Sequence, residues 1–353
     1  MAHRGSASVL ASALTSRIAT CSRQDTLGKV CRLIAVRFEP DRDHRRFANV
    51  GYADRRRFTG PQRVRSILPD GLKRVFREQI ESALELCRHP AKQRGVTVHE
   101  VRKHLKKLRA AMRLAVGEVG KNRHAHEDRC VRKIGRLVSD LRDAQVRLQT
   151  LIQLRDKTAK HSGKNHFPHI EELLSLERES FSAAFAGWQK QAIRQLERVE
   201  ARLLKWPLEG LTWKQICGAV CKIYKRGQRG LAKTINDPDP ENFHAWRKRV
   251  KDLWYQLRIL QPLNRAVLTE MAHDADVLGE LLGCERDFAF LWARLEKESG
   301  DETLRDELAQ LEKLIRKRGK RLRTNALELG RRFYAEPAKA FAKRISIFVG
   351  KRI

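Results

Sequence analysis

VHEVRKHLKKLRAAMRLAV, residues 98–116, is the most informative stretch of this sequence, because a stretch of the same design, FHAWRKRVKDLWYQLRIL, returns at residues 243–260. Apolar residues in both stretches follow a 3-4-3-4-3 spacing, which predicts one buried face of an α-helix. These residues are Val98, Val101, Leu105, Leu108, Met112 and Ala115 in the first stretch, and Phe243, Trp246, Val250, Leu253, Leu257 and Leu260 in the second. The sequence therefore predicts two matching amphipathic helices.

Basic side chains follow the apolar ones along both stretches, mostly one position later. They are His99, Arg102, Lys103, Lys106, Arg109 and Arg113 in the first stretch, and His244, Arg247, Lys248, Lys251 and Arg258 in the second. At about 100° per residue they form a strip on a different side of the helix from the apolar seam. A single basic strip is typical of a solvated helix face, but repetition of the same charge order favours a binding surface.

Composition narrows the class of protein and of partner. The chain has 353 residues, and 74 Lys and Arg against 42 Asp and Glu give a net charge of +32, which favours a polyanionic partner. The seven cysteines are odd in number and contain no CxxC pair, so a reducing compartment such as the cytoplasm is favoured over a disulfide framework. No apolar run approaches the roughly 18–20 residues of a membrane span, and we expect none.

The chain divides into a tail and a helical domain. Residues 1–70 are predicted to form a disordered or weakly structured basic tail, with a targeting segment or an extended start as alternatives. A helical domain is predicted over residues 71–350, in halves of about 71–205 and 211–350. Glu127–Lys157 and His169–Lys205 are each predicted to be continuously helical, and Asn236–Pro240 is predicted to break the helix before the second basic stretch.

A second repeat supports a duplication. Ile134–Val146 parallels Leu278–Phe290 at an offset of 144 residues, whereas the two basic stretches are offset by 145. Two segments at nearly one offset predict an all-α fold of two duplicated antiparallel helical bundles, related by pseudo-two-fold symmetry around a basic central groove. Within this repeat, the pairs Arg142-Asp143 and Arg286-Asp287 are predicted to be structural ion pairs.

These motifs resemble the CHAD family, the conserved histidine α-helical domain. Each half of that family opens with a helix of hydrophobic-His-x-x-Arg-x-x-x-basic-basic-Leu-Arg pattern and later carries an Arg-Asp helix. Residues 98–109 match the first pattern almost completely. The second keeps His244, Arg247 and Lys251, but Asp252 and Trp254 stand where basic residues are expected. The resemblance covers about residues 72–348.

The resemblance implies a protein that binds inorganic polyphosphate. We expect a non-catalytic role in the cytoplasm, and association with polyphosphate granules stays open. Arginines can donate forked hydrogen bonds to phosphate oxygens, and lysines supply mobile point charges. The eleven basic-strip residues named above are therefore the predicted ligands, and the more highly charged first copy is expected to carry more of the binding. His99 and His244 either contact phosphate or make structural hydrogen bonds.

Two other functions stay open on the sequence alone. The high net charge also allows a nucleic-acid-binding helical protein with non-specific contacts, in which Trp254 and Tyr255 are the aromatic residues that could stack on a base. A phosphotransfer or polyphosphate-hydrolysing enzyme with a catalytic histidine is the weaker alternative. We expect no cofactor and no metal, because His99 and His104 lie five residues apart, whereas a helical zinc pair needs four, and HAHED at residues 124–128 lacks a preceding strand.

Overall fold

The computed structural model describes residues 61–92, 94–137, 139–162 and 167–350, and the regular structure in this part of the chain is entirely helical. The α-helices are α1 (Pro61–Arg88), α2 (Arg94–Leu114), α3 (Val116–Val119), α4 (Lys121–Arg136), α5 (Ser139–Ser162), α6 (Pro168–Ser180), α7 (Phe185–Leu203), α8 (Trp213–Asn236), α9 (Pro240–Leu260), α10 (Arg265–Leu295), α11 (Arg305–Phe333) and α12 (Ala338–Gly350). Short 3-10 helices cover Phe181–Ala184, Gln261–Leu263 and Glu296–Glu298. The prediction of an all-α fold is confirmed.

The two basic stretches form α2 and α9, and their apolar seams are buried as predicted. Each of the twelve seam residues has at most 4% of its surface exposed. The helices α2 and α9 pack against each other, α1 covers α2, and α8 and α10 cover α9. Trp246 is completely buried, and a Cβ atom at Gly330 of α11 would lie 2.5 Å from its ring, so only glycine allows this close approach.

Local capping explains why α8 and α9 begin where they do. Thr212 accepts a hydrogen bond from the backbone N–H of Gln215, whose side chain accepts one from the backbone of Thr212, so the first turn of α8 is closed by a capping box. The helix α8 ends at Asn236 and α9 begins at Pro240. Asp239 caps α9 by accepting from the backbone N–H of Glu241 at 2.7 Å. The predicted break at residues 236–240 is confirmed.

The first helix begins earlier than the sequence suggested. It starts at Pro61, so residues 61–70 are helical, although they were assigned to the tail. Proline is tolerated in the first turn of a helix, because its missing N–H would have no helical partner there. The predicted tail therefore included the first turns of α1. Leu68, Leu72 and Phe76 already form a buried face with four-residue spacing. The rest of the predicted tail, residues 1–60, lies outside the described residues.

The predicted helix Glu127–Lys157 is two helices, α4 and α5. The break leaves carbonyls in the last turn of α4 without helical partners, and side chains from elsewhere satisfy them. Trp188 donates from Nε1 to the carbonyl of Ile134 at 3.0 Å, and Arg102 donates to the carbonyl of Gly135 at 2.7 Å. Because these partners come from distant helices, the break has no local sequence signal.

The predicted helix His169–Lys205 is also divided, into α6, a 3-10 turn and α7. An apolar cluster that includes Leu151 of α5, Ile170 of α6, Leu291 of α10 and Leu311 of α11 packs helices of the first half against helices of the second. None of the described helices has the length and apolar character that crossing a bilayer requires.

Candidate functional site

The basic strips of α2 and α9 meet where the two helices pack together. Arg113 of α2 donates to the carboxylate of Asp252 of α9 at 2.9 Å, and both side chains are about 15% exposed. Asp252, which departs from the basic residue expected at its position, also lies 3.2 Å from Arg249. The aspartate at position 252 therefore forms an ion pair that links α9 to α2.

Lys106 lies at the centre of a group of cations drawn from three helices. Its pKa is lowered to about 7, first by desolvation within the surrounding protein and then by the positive charges of Arg247, Arg102, Lys251 and Arg142. Lys106 has exposed surface, yet the surrounding protein desolvates its ammonium as it would desolvate that of a buried lysine. A long side chain standing in a recess satisfies both observations. We call these five residues the Lys106 cluster.

Arg286 of α10 borders the same region. Its charge opposes protonation of His244 and stabilises the carboxylate form of Asp143, so it lies close to both. Desolvation nevertheless raises the pKa of Asp143, against the effect of Arg102 and Arg286. The structure therefore brings Arg286 of the second half close to Asp143 of the first.

Several predicted ligands are already paired with carboxylates. Lys103 lies 3.0 Å from Glu100, and Arg109 donates to Asp128 at 2.7 and 3.3 Å. Arg113 is held by Asp252, as described above. To bind a phosphate, each of these side chains must exchange or share a carboxylate partner, which reduces the net gain.

Lys251 is similarly occupied, on two sides. It donates to Asp276 at 3.0 Å and to Glu280 at 3.2 Å, and its ammonium lies 3.9 Å from the ring centroid of Trp254. Arg258 lies on the same ring at 5.5 Å. Trp254, the second departure from the expected pattern, therefore supports two cations of the strip through cation–π contacts.

Four cations form no such ion pair with a described residue, although Arg286 lies close to the carboxylate of Asp143. Among the described residues, no carboxylate forms an ion pair with Lys106, Arg247, Lys248 or Arg286, and Lys248 is exposed. These side chains come from α2, α9 and α10. They are the ones that can accept an anion without first losing a partner, and we call them the unpaired cations.

The two histidines lie in different surroundings. The pKa of His244 is lowered to about 4 by burial and by the charges of Arg286, Lys248 and Arg247, so this imidazole is neutral at pH 7 in the free protein. His99 is 43% exposed, with Nε2 at 3.8 Å from Glu100. In the protein without a bound anion, His244 is therefore a neutral imidazole that can donate or accept a hydrogen bond.

A comparison with protein families shows which family the chain belongs to. The sequence profile of the CHAD domain matches residues 74–296, which is more than half of the chain. The chain belongs to the CHAD family. A comparison with curated proteins finds no match to this chain.

The match places the predicted ligands inside the CHAD domain. All eleven lie within residues 74–296, and the match ends at the 3-10 turn after α10. It is shorter than the expected range of about residues 72–348. The helices α11 and α12 therefore lie beyond the matched range, although α11 packs on α10 and α12 packs on α8.

Sequence reasoning gave two arginines of the CHAD domain a different role. Arg142 and Arg286 were assigned to structural ion pairs with Asp143 and Asp287, and this pairing stays a prediction. The structure adds that Arg142 belongs to the Lys106 cluster and that Arg286 borders it. The sequence signal that could have placed these arginines near the basic helices is the Arg-Asp repeat, because it recurs at nearly the same offset as those helices.

Arg102 and Arg247, at corresponding positions of the two basic stretches, make different contacts. Arg102 caps the broken end of α4 through the carbonyl of Gly135. The matching segment of the second half lies inside the continuous helix α10, where a Cβ atom at Gly283 would lie 3.2 Å from Nε of Arg247. Arg247 therefore packs against the helix without capping it, and its guanidinium keeps more donors for a ligand.

Proposed function

We propose that this CHAD domain binds inorganic polyphosphate without catalysing its turnover, through the Lys106 cluster and the unpaired cations. The cations that surround Lys106 come from α2, α5 and α9, and Arg286 of α10 borders them, which supports the proposal. A chain of repeated anionic tetrahedra needs many donors spread over a surface, and each further phosphate that is bound adds avidity.

The surroundings of the cluster favour polyphosphate over nucleic acid. Single-stranded nucleic acids are commonly bound by stacking their bases on accessible aromatic faces. Trp254 already carries Lys251 on its ring, and Tyr255 is only 6% exposed. The two aromatic residues considered for stacking are thus engaged or buried, whereas a ligand without bases makes no use of them.

We infer a binding role rather than catalysis from the chemistry of the gathered groups. The cluster consists of lysines and arginines, which hold phosphate oxygens as cations. His244 is neutral at pH 7 and lies beside further cations, which disfavour the protonated form that a general acid would need. Phosphate release from polyphosphate in the presence of Mg²⁺ would contradict this part of the proposal.

We also infer that two duplicated halves build the surface around a pseudo-two-fold axis. In the first half α1 packs on both α2 and α7, and in the second α8 packs on both α9 and α12. The matching helices α2 and α9 pack against each other at the centre. The carboxylate partners of Lys103, Arg109 and Arg113 reduce the charge advantage of the first copy, so both copies would contribute to binding.

The proposal is tested by titrating the full chain with long-chain polyphosphate at about 150 mM salt, beside single-stranded DNA and RNA of matched charge. We expect tighter binding of polyphosphate and a steep loss of affinity with salt. Equal or weaker affinity for polyphosphate than for either nucleic acid would contradict the proposal.

A double charge reversal locates the site. Lys106→Glu with Lys251→Glu removes two charge-assisted contacts of about 1.5 kcal/mol each, so affinity should fall on the order of 100-fold. The matched control reverses the exposed Lys190 and Lys222, on α7 and α8, and so changes the net charge equally. An equal loss of affinity in both proteins would mean that binding depends on net charge and not on this site. Far-ultraviolet circular dichroism checks the fold, and Lys106→Glu alone repeats the test without disturbing the ion pairs of Lys251.

Location follows from the proposed ligand. A non-catalytic binder of long polyphosphate would concentrate on cytoplasmic polyphosphate granules. A fluorescent fusion of the wild-type chain should co-localise with granules, and the double-reversal variant should become diffuse. Granule association that is unchanged in the variant would show that another surface directs it.

A further inference from the structure

Three metal-ligating side chains converge on α4, apart from the basic residues described above. They are His126, Glu127 and Cys130, and their potential ligand atoms all lie within 4.8 Å of one another. The His126 side chain is 57% exposed, Cys130 is half-buried, and Glu127 is buried. An ion could therefore reach the group from solvent at the exposed His126 side and bind Glu127 on the buried side.

The helix explains why these three residues meet. His126 and Cys130 are four residues apart, so they lie on one face, one turn from each other. The HAHED pattern at residues 124–128 cannot act as a unit, because alternate positions diverge around a helix, and Asp128 already binds Arg109 and Arg132. The set that the structure brings together is therefore different from the HAHED pattern, and the sequence analysis did not anticipate it.

The spacing of the donor atoms fits a small tetrahedral ion. Nδ1 of His126 lies 3.2 Å from Oε1 of Glu127. Two ligands bound to zinc at roughly 2.0–2.1 Å with tetrahedral angles are separated by about 3.3 Å, and a nitrogen and a thiolate sulfur by about 3.6 Å. The first pair already has the required separation, and the sulfur of Cys130 lies within 4.8 Å of a potential ligand atom of both residues.

Arg202 of α7 orients the carboxylate of Glu127 by donating one hydrogen bond to each of its oxygens. It donates to Oε1 of Glu127 at 2.6 Å and to Oε2 at 2.9 Å. Each carboxylate oxygen has about two lone-pair sites, so Oε1 can bind a metal when the ion replaces its hydrogen bond with Nδ1 of His126. Hydrogen bonding of a ligating carboxylate from an outer partner is usual in metal sites. The carboxylate and a Cys130 thiolate together balance the charge of a divalent ion.

We infer that His126, Glu127 and Cys130 bind a divalent metal of the zinc class, with the fourth position open to water. The mixed nitrogen, oxygen and sulfur set suits Zn²⁺ better than Mg²⁺ or Ca²⁺, which prefer oxygen ligands alone. The inference does not depend on polyphosphate binding.

Cobalt titration of the full chain tests the site, because a Co²⁺–thiolate bond gives a near-ultraviolet charge-transfer band. We expect one such site in the wild type, displaced by Zn²⁺, and at least a tenfold loss of affinity in Cys130→Ser and in His126→Ala. Cys221→Ser is the matched control, because Cys221 is also a half-buried helical thiol. Binding should release protons and weaken as the pH falls, because the thiol and the imidazole must be deprotonated.

The readouts distinguish this site from thiols elsewhere in the chain. Absence of the band in the wild type, or its persistence in Cys130→Ser with unchanged affinity, would overturn the inference. Should Cys130→Ser fail to fold, His126→Ala decides, because its exposed side chain can be removed without opening the core. Wild-type cobalt affinity in His126→Ala would then overturn the inference.

Discussion

The position of Lys106 among four other cations predicts that polyphosphate binding is coupled to proton uptake. Its pKa of about 7 lies well below the ordinary lysine value of about 10.4. A phosphate beside the ammonium favours the charged form and raises this pKa. The complex therefore binds more protons than the free protein above pH 7, and affinity must fall as the pH rises through this value.

The size of the effect follows from the same shift. A single group with a free pKa near 7, held protonated in the complex, changes affinity about tenfold between pH 6 and pH 8. Because Lys106 keeps exposed surface, solvent screening reduces the coupling, and we expect a change of about three- to tenfold.

The assay is calorimetric titration with long-chain polyphosphate at pH 6, 7 and 8 and constant ionic strength, in two buffers of different ionisation enthalpy. Long chains keep the contribution of terminal phosphates small. Lys106→Arg is the control, because arginine stays charged throughout and should bind with a flatter pH profile. Both proteins contain the same histidines, so a difference between the two pH profiles reports Lys106. Identical profiles for the wild type and Lys106→Arg would refute the reasoning.

Two further predictions concern stability, measured by urea unfolding. Asp252→Asn weakens the bridge to Arg113 between α2 and α9 and should lower the free energy of unfolding by about 1–3 kcal/mol. Glu172→Gln is the control and should have little effect, because Glu172 is exposed and forms no ion pair with another described residue. Gly330→Ala places a methyl group 2.5 Å from the buried ring of Trp246 and should cost about 1–3 kcal/mol. Gly218→Ala, in open space on α8, should instead raise stability by about 0.5–1 kcal/mol. Equal effects for the two glycine variants would contradict the packing argument.

Local patterns predicted the helices and their buried faces well. The seam residues of α2 and α9 are all buried, because burial of a helix face follows from apolar spacing within a single helix. Boundaries that depend on distant partners were not predictable. The break between α4 and α5 is stabilised by Trp188 and Arg102, which lie 54 and 33 residues from the carbonyls they bind.

The amino-acid sequence by itself determined the repeated amphipathic helices, the strip of positive charge on each and the membership of the CHAD family. Only the tertiary structure decided which of those charges remain available. Arg113 is paired with Asp252, 139 positions away, whereas Lys106 has no carboxylate partner among the described residues. The physical reason is that the helical period places a charge on a face, but the packing of one helix against another determines whether an opposite charge lies within reach.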